Sequence, residues 1–180
     1  MVDTSVFECF SSEELNQPNP PLERRSQMKH LLLTTIAAVV LVGCGNPEAD
    51  RSLFEAIRNG KIEIVKESIA DGANINAFNA NIISPLHYAV SNGQKDIVDL
   101  LINEGANVNF SGGNRGFSPL HVSVLNNQVE ITELLVKNDA DLTLKNAEGK
   151  TSLDFADGVI ADLLRKHGGK TSEELKAEGK

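Results

Sequence analysis

The residues of this chain that could do chemistry are few, and their spacing forms no catalytic motif. The chain has four histidines, two of them 34 residues apart in Pro-Leu-His triplets, namely His30, His87, His121 and His167. The zinc-protease pattern H-E-x-x-H, the nucleophile pattern G-x-S-x-G and the phosphate-binding loop are absent from the sequence. Glycines are concentrated at 112–116, but no buried strand of a βαβ unit precedes them. We therefore expect no catalytic residues, no metal site and no cofactor.

Cysteine usage and charge exclude two further classes. The two cysteines, Cys9 and Cys44, lie outside region 51–180, so neither a disulfide framework nor a cysteine metal site is available there. The 180-residue chain is 41% hydrophobic and carries a formal net charge of −8, which indicates one folded domain with a short appendage. An acidic chain without a basic run lacks the electrostatic attraction that nucleic acid requires. We expect no nucleic-acid partner.

The elements that must position these residues are set by an internal repeat. The stretch 84–109 (SPLHYAVSNGQKDIVDLLINEGANVN) occurs again at 118–143 (SPLHVSVLNNQVEITELLVKNDADLT), and looser copies occupy 52–76 and 151–168. The first leucines of the copies are spaced by 33, 34 and 33 residues, at Leu53, Leu86, Leu120 and Leu153. A fixed period of this length is typical of a stacked repeat array.

Each copy contains the start and stop signals of two helices. A Ser-Pro pair begins the first helix, because the hydroxyl caps free N–H groups and proline at the first position loses no hydrogen bond. Gly93 and Asn127 favour the left-handed conformation that ends this helix. The second helix has apolar residues at i, i+3 and i+4 and ends at Gly105, or at Asp139 in the next copy. Residues 171–174 (TSEE) predict a capping box that opens a last helix.

The pattern S-P-L-H-x-A followed by I-V-x-L-L-I-x-x-G-A-x-V-N resembles the ankyrin repeat across region 51–180. The resemblance implies an all-α repeat solenoid of stacked helix-turn-helix units joined by β-hairpin fingers. It also implies that His87 and His121 hydrogen-bond the backbone across the turn. In this family, partners usually dock on the fingers and on the concave face of the first helices. The four units are expected at 51–80, 81–114, 115–147 and 148–180.

By position, the fingers fall at 77–83, 110–117 and 144–150, and the first two carry apolar side chains on segments that are normally solvated. Clustered apolar surface often marks a contact site, although such side chains could instead fold back onto the helix below. Ile82 stands where the other two fingers have glycine. Because a β-branched residue resists positive φ, this turn must differ or be strained. The predicted partner-binding residues are Phe78, Ile82, Ile83, Tyr88, Asn92, Phe110, Arg115, Phe117, Val122 and Asn126.

A different signal lies at 28–44 (MKHLLLTTIAAVVLVGC), where a lysine, a short apolar run and small residues precede a cysteine. The run is too short to cross about 30 Å of hydrocarbon as a helix, but it is typical of a cleaved export signal. The tetrapeptide L-V-G-C at 41–44 resembles the lipobox of bacterial lipoproteins. The resemblance implies a signal peptide at 28–43, acylation of Cys44 and a short tether at 44–50. Without aspartate after the cysteine, we expect the outer membrane, facing the periplasm.

Residues 1–27 are polar, contain proline and have no periodicity. We expect a disordered extension, or an upstream stretch that is not translated if Met28 is the real start. The pair Arg24-Arg25 leaves open a second interpretation, since it weakly resembles a twin-arginine export signal. Either route places the folded domain outside the cytoplasm.

Together these patterns predict a monomeric, non-catalytic protein-binding module that is lipid-anchored at the bacterial envelope. An adaptor and an inhibitor of immunity type are both consistent with it. The alternative is an accessory protein or enzyme with a small-ligand pocket in the concave groove around Tyr88 and Asn92. A pocket function should depend on Tyr88, whereas a protein-binding surface should be sensitive to the finger residues.

Overall fold

A computed structural model describes residues 46–179, and within them the chain forms eight α-helices, one 3₁₀ helix and no strand. In chain order these are α1 Pro47–Arg58, α2 Ile62–Ala70, α3 Pro85–Ser91, α4 Lys95–Asn103, α5 Pro119–Leu125, α6 Val129–Lys137, the 3₁₀ helix Ser152–Phe155, α7 Gly158–Lys166 and α8 Ser172–Ala177. The predicted extension, the signal sequence and the lipid site Cys44 lie outside the described residues. None of the described helices is long and apolar enough to span a membrane.

The helices are arranged in two layers. The first helices of the repeats, α1, α3, α5 and the 3₁₀ helix, pack side by side in chain order. The second helices, α2, α4, α6 and α7, form the other layer in the same order. Each first helix also packs against the second helix of its own repeat. This arrangement confirms the predicted all-α repeat solenoid.

The helix start and stop signals act as the sequence predicts. The Ser84 hydroxyl accepts the N–H of the residue three positions on at 3.3 Å, and Ser118 does the same at 3.4 Å. Gly93 and Asn127 follow the first helices at φ 69° and 51°. Thr171 forms the predicted capping box at the start of α8. Local hydrogen bonds and local backbone conformation thus mark these boundaries.

The first helix begins earlier than expected. α1 starts at Pro47, so the assignment of residues 44–50 to a tether is wrong for residues 47–50. Asn46 caps this helix by accepting the N–H of Glu48 at 3.2 Å, and its own Nδ2 donates to the carbonyl of Asp71 at 3.3 Å. An Asn-Pro pair is as strong a start signal as the Ser-Pro pairs of the inner repeats.

The last repeat is closed by a carboxylate. Asp154 occupies the position that histidine holds in the two inner repeats, and it accepts the N–H of Thr151 at 2.7 Å and that of Ser172 at 3.0 Å. Burial alone raises the pKa of Asp154, but these donors together hold the pKa below its ordinary value. The carboxylate therefore fastens the start of α8 to the 3₁₀ helix.

The core is a continuous column of aliphatic side chains between the two layers. The first-helix leucines are all nearly inaccessible, with exposures of 0, 1, 1 and 5% at Leu53, Leu86, Leu120 and Leu153. Leu101 and Leu135, from α4 and α6, are fully buried. Each of these leucines contributes on the order of 1.5–3 kcal/mol through removal from water.

We expect Leu101→Ala to lower the free energy of unfolding by about 2–5 kcal/mol, because the truncation leaves a cavity between neighbouring repeats. Leu125→Ala is the matched control, since this leucine is 46% exposed, and it should change stability by less than about 0.5 kcal/mol. Chemical denaturation followed by circular dichroism measures both. A loss below about 1 kcal/mol for Leu101→Ala would contradict the packing described.

Candidate functional site

The three fingers are tight turns. In each finger a backbone N–H donates to a carbonyl that lies just before the first helix of the following repeat. The donor and acceptor residues are Asn79 and Ile83 at 3.1 Å, Gly112 and Phe117 at 2.9 Å, and Asn146 and Lys150 at 2.9 Å. Among residues 46–179, the pair Gly112–Phe117 forms an isolated β-bridge. The expected β-hairpins are thus reduced to their turns. In the first and third fingers the return N–H, of Ile83 and of Lys150, donates to the Oδ1 of Asn79 and of Asn146 and not to a backbone carbonyl.

Neighbouring fingers are tied to one another through the backbone. The N–H of Gly113 donates to the carbonyl of Ile82 at 3.0 Å, and the N–H of Ala147 donates to the carbonyl of Arg115 at 2.9 Å. Gly112 permits this approach, since a Cβ there would lie 2.2 Å from the Ile82 carbonyl oxygen. The three fingers therefore form one edge with fixed spacing.

Three of the predicted apolar contact residues fold back and are half-buried, namely Ile83, Phe110 and Phe117. The Phe110 ring meets the His87 ring edge-on, with centroids 5.7 Å apart. Phe117 stacks on His121 at 5.7 Å and meets Phe155 edge-on at 6.0 Å. These aromatic rings cover the histidine layer, so they are largely structural.

The other two apolar finger residues point outward. Phe78 is 61% exposed and stacks on Phe110, with centroids 6.2 Å apart, and Ile82 is 51% exposed. Ile82 adopts φ 58°, close to the 60° of Gly116 and the 74° of Gly149 in the other fingers. The first finger thus keeps the same turn and is strained, at a cost of roughly 1–2 kcal/mol for a residue with a side chain.

The two inner histidines link one repeat to the next. His87 accepts the hydroxyl proton of Ser84 at Nδ1 and donates from Nε2 to the carbonyl of Phe117, both at 2.8 Å. His121 donates from Nε2 to the carbonyl of Lys150 at 3.1 Å. Burial lowers the pKa of both imidazoles, outweighing the bonds to these carbonyls, which act in the opposite direction. The predicted structural role is confirmed.

The first helices bring together a group of residues that sequence reasoning found only in part. Tyr88 is half-buried, and its ring meets Phe54 edge-on with centroids 6.4 Å apart. Both rings line an open depression together with four polar residues, Arg51, Glu55, Arg58 and Asn79. Four of these side chains share the spacing i, i+3, i+4, i+7 on α1, a signal that could have revealed Arg51 and Phe54.

The remaining predicted contact residues are dispersed. Asn92 is exposed at the end of α3 and lies outside the lining of the depression. Val122 is half-buried against the core, and Asn126 donates from Nδ2 to the carbonyl of Ser91 at 3.5 Å. Arg115 is exposed, with its guanidinium 6.0 Å from the centre of the Phe117 ring. The pocket predicted around Tyr88 and Asn92 therefore includes only the first of these residues.

Comparison with known proteins agrees with the repeat geometry. Residues 53–146 match the family described as ankyrin repeats, in three copies. This match covers more than half of the chain. No curated protein matches the chain significantly. Within residues 46–179, no group of three or more histidine, cysteine, aspartate or glutamate side chains is placed to hold a metal ion.

The buried histidines predict a pH-dependent stability. The pKa values of His87 and His121 in the folded state lie below the ordinary value of about 6.5. The contribution of these two neutral histidines to the free energy of unfolding is therefore fully present above that pH. As the pH falls below it, the unfolded chain takes up protons first and the free energy of unfolding decreases. Chemical denaturation at pH values from about 7.5 to about 5.5, roughly 1 unit either side of 6.5, measures the slope of the free energy of unfolding against pH.

The double variant His87→Gln/His121→Gln should lose most of this slope, because glutamine can still donate to the two carbonyls but does not titrate. His167→Gln, which removes an exposed histidine instead, controls for the loss of an imidazole elsewhere. An unchanged slope in the double variant would contradict the assignment.

Proposed function

The chain belongs to the ankyrin-repeat family, and we propose that it is a lipid-anchored protein of the bacterial envelope that binds a partner protein through its first finger and first helices. Ankyrin repeats generally mediate protein–protein interaction and are typically non-catalytic. In this proposal the domain acts as a monomer without nucleic acid, and its binding holds the partner as an adaptor or blocks it as an inhibitor.

The observation that carries the binding proposal is the strained, outward-facing isoleucine of the first finger. Glycine at Ile82 would remove the unfavourable contact of the side chain with its own backbone, as Gly116 and Gly149 do in the other fingers. Keeping a half-exposed apolar side chain there costs stability and contributes little to the core. Strain of this kind persists mainly where a residue has a function. We infer that Ile82 and its exposed neighbour Phe78 contact the partner.

The rigidity of the finger edge supports the same proposal. The Ile82 carbonyl is held by the Gly113 N–H, and Phe78 rests on the Phe110 ring. Side chains that are already fixed lose less conformational entropy when a partner binds. A preorganised apolar pair is therefore a better binding element than the same residues on a mobile loop.

The anchoring proposal rests on L-V-G-C at 41–44 and on the start of the folded domain. Two peptide units separate Cys44 from Asn46, which already caps α1. Two residues reach at most ~7 Å, so a lipid on Cys44 would keep the first repeat at the membrane surface. The partner in this proposal is accordingly an envelope protein or an incoming protein that reaches the membrane.

We expect Ile82→Asn to abolish capture of the dominant partner when the chain is crosslinked in cells and purified from detergent-solubilised membranes. Asparagine tolerates the left-handed conformation, so the free energy of unfolding should rise or remain unchanged. Phe78→Asp should also lose the partner. Val159→Asn is the matched control, because Val159 is 67% exposed in the last repeat and distant in sequence from the first finger.

Full partner recovery by both finger variants would contradict the binding surface. A loss of the protein's cellular activity in Tyr88→Ala, with both finger variants active and no protein captured, would instead favour the small-ligand alternative. Because Ile82→Asn is not expected to unfold the domain, reduced capture cannot be attributed to a loss of folded protein once the unfolding curves have been compared.

The anchor has its own test. Cys44→Ser should abolish incorporation of radiolabelled palmitate and release the domain from the membrane fraction, because serine lacks the thiol that the proposed acylation uses. Cys9→Ser is the matched control and should keep the label. Labelled Cys44→Ser protein would overturn the anchor and leave the binding surface unaffected.

A further inference from the structure

We propose that the depression on the first repeat recognises an acidic segment of the partner, in which a carboxylate lies next to an apolar side chain. The inference rests on the proposed function, since it names the chemistry of the partner. The depression is the surface lined by α1, Tyr88 of α3 and Asn79 of the first finger.

An unpaired arginine provides the charge. Among residues 46–179, no carboxylate forms an ion pair with Arg58. Arg51 lies 3.6 Å from Glu55, but both side chains are largely exposed, at 82 and 62%, so this contact is weak and easily exchanged. Arginine presents a planar set of donors that can bind a carboxylate through two parallel hydrogen bonds. The depression therefore has at least one cation available for an incoming carboxylate.

Aromatic rings provide the apolar part. Phe54 and Tyr88 are half-buried and meet edge-on at 6.4 Å within the same lining. They present ring surface beside the guanidinium groups of Arg51 and Arg58. A segment with a carboxylate alone would leave this ring surface in contact with water. An adjacent aliphatic or aromatic side chain would cover it and gain from its burial.

The distribution of charge favours an acidic ligand at this place. The chain from Cys44 onward has 20 acidic and 14 basic residues, yet neither 77–92 nor 105–129 contains an acidic residue. These two segments comprise the first two fingers together with α3 and α5. The part of the depression formed by α3 and the first finger thus adds no negative charge. Glu55 is the one carboxylate among the lining residues, and it lies 3.6 Å from Arg51, so the two arginines leave an excess of positive charge there. Such complementarity in an acidic domain orients an acidic partner as it approaches.

The depression also adjoins the exposed finger. Asn79 contributes to the lining and immediately follows Phe78 in the chain. A bound segment that places its carboxylate at Arg58 would reach Phe78 and Ile82 by continuing past Asn79. The acidic position and the apolar finger contact are therefore parts of one binding surface.

The test uses a library of short random peptides displayed on phage and selected on the purified domain. The wild-type protein should enrich peptides in which aspartate or glutamate adjoins an aromatic or aliphatic residue. Arg58→Glu should weaken binding of a synthetic copy of the most enriched peptide by roughly tenfold or more. Arg58→Gln, a milder change, should weaken it in the same direction, and binding to wild type should decrease as salt increases.

Arg165→Glu is the matched control, because Arg165 is an exposed arginine on α7 in the last repeat, and it should bind the peptide as wild type does. Peptides without acidic enrichment, no enriched peptide at all, or equal binding by Arg58→Glu would overturn the inference. If Ile82→Asn still loses a captured partner in that case, the proposed function stands with a partner of other chemistry. Acidic peptides that bind through Arg58, with no captured partner in cells, would keep the inference and remove the adaptor role, leaving the inhibitor of an incoming protein.

Discussion

The structure depends on one constraint: a single repeat cannot bury its own apolar face and must use its neighbours. The first-helix leucines are nearly inaccessible, and each first helix packs against the first helix of a neighbouring repeat as well as against the second helix of its own repeat. Hydrogen bonds fix the spacing at which this happens. His87 reaches the carbonyl of Phe117 in the next repeat, and Gln94 donates to the carbonyl of Ile57 in the preceding one at 2.6 Å. Apolar burial supplies the energy of stacking, and these bonds supply its geometry.

The same constraint explains why the fingers can store strain. Because the repeats are locked together, Gly113 holds the Ile82 carbonyl in place and Gly112 allows the two turns to approach. A β-branched residue at φ 58° would relax on an isolated loop, but here its surroundings determine its conformation. The aromatic rings of the fingers therefore have two roles. Phe110 and Phe117 pack on the two histidines, whereas Phe78 in the first finger remains exposed.

Charge is distributed in a way that follows from the two layers. The second helices carry both acidic and basic side chains, whereas α3 and α5 carry neither. The part of the first-helix layer that α3 and α5 form therefore carries no acidic or basic side chain. α1 is the exception, since it carries Arg51 and Arg58 together with three acidic residues, Glu48, Asp50 and Glu55, and its two arginines lie beside two aromatic rings. A surface with few charges and a few well-placed cations selects its partner by chemistry as well as by shape.

The resemblance to the ankyrin repeat implied the structural role of the two histidines. The sequence by itself determined the repeat period, the first-helix leucines and the helix caps at Ser84 and Ser118. These features are local or strictly periodic, so each copy of the repeat contains its own signal. Only the tertiary structure decided that Phe110 and Phe117 fold back while Phe78 stays exposed, and that Asn92 lies outside the depression that Tyr88 lines. Whether a finger side chain is covered depends on rings such as Phe155 from a repeat more than thirty positions along the chain. No local pattern records that contact.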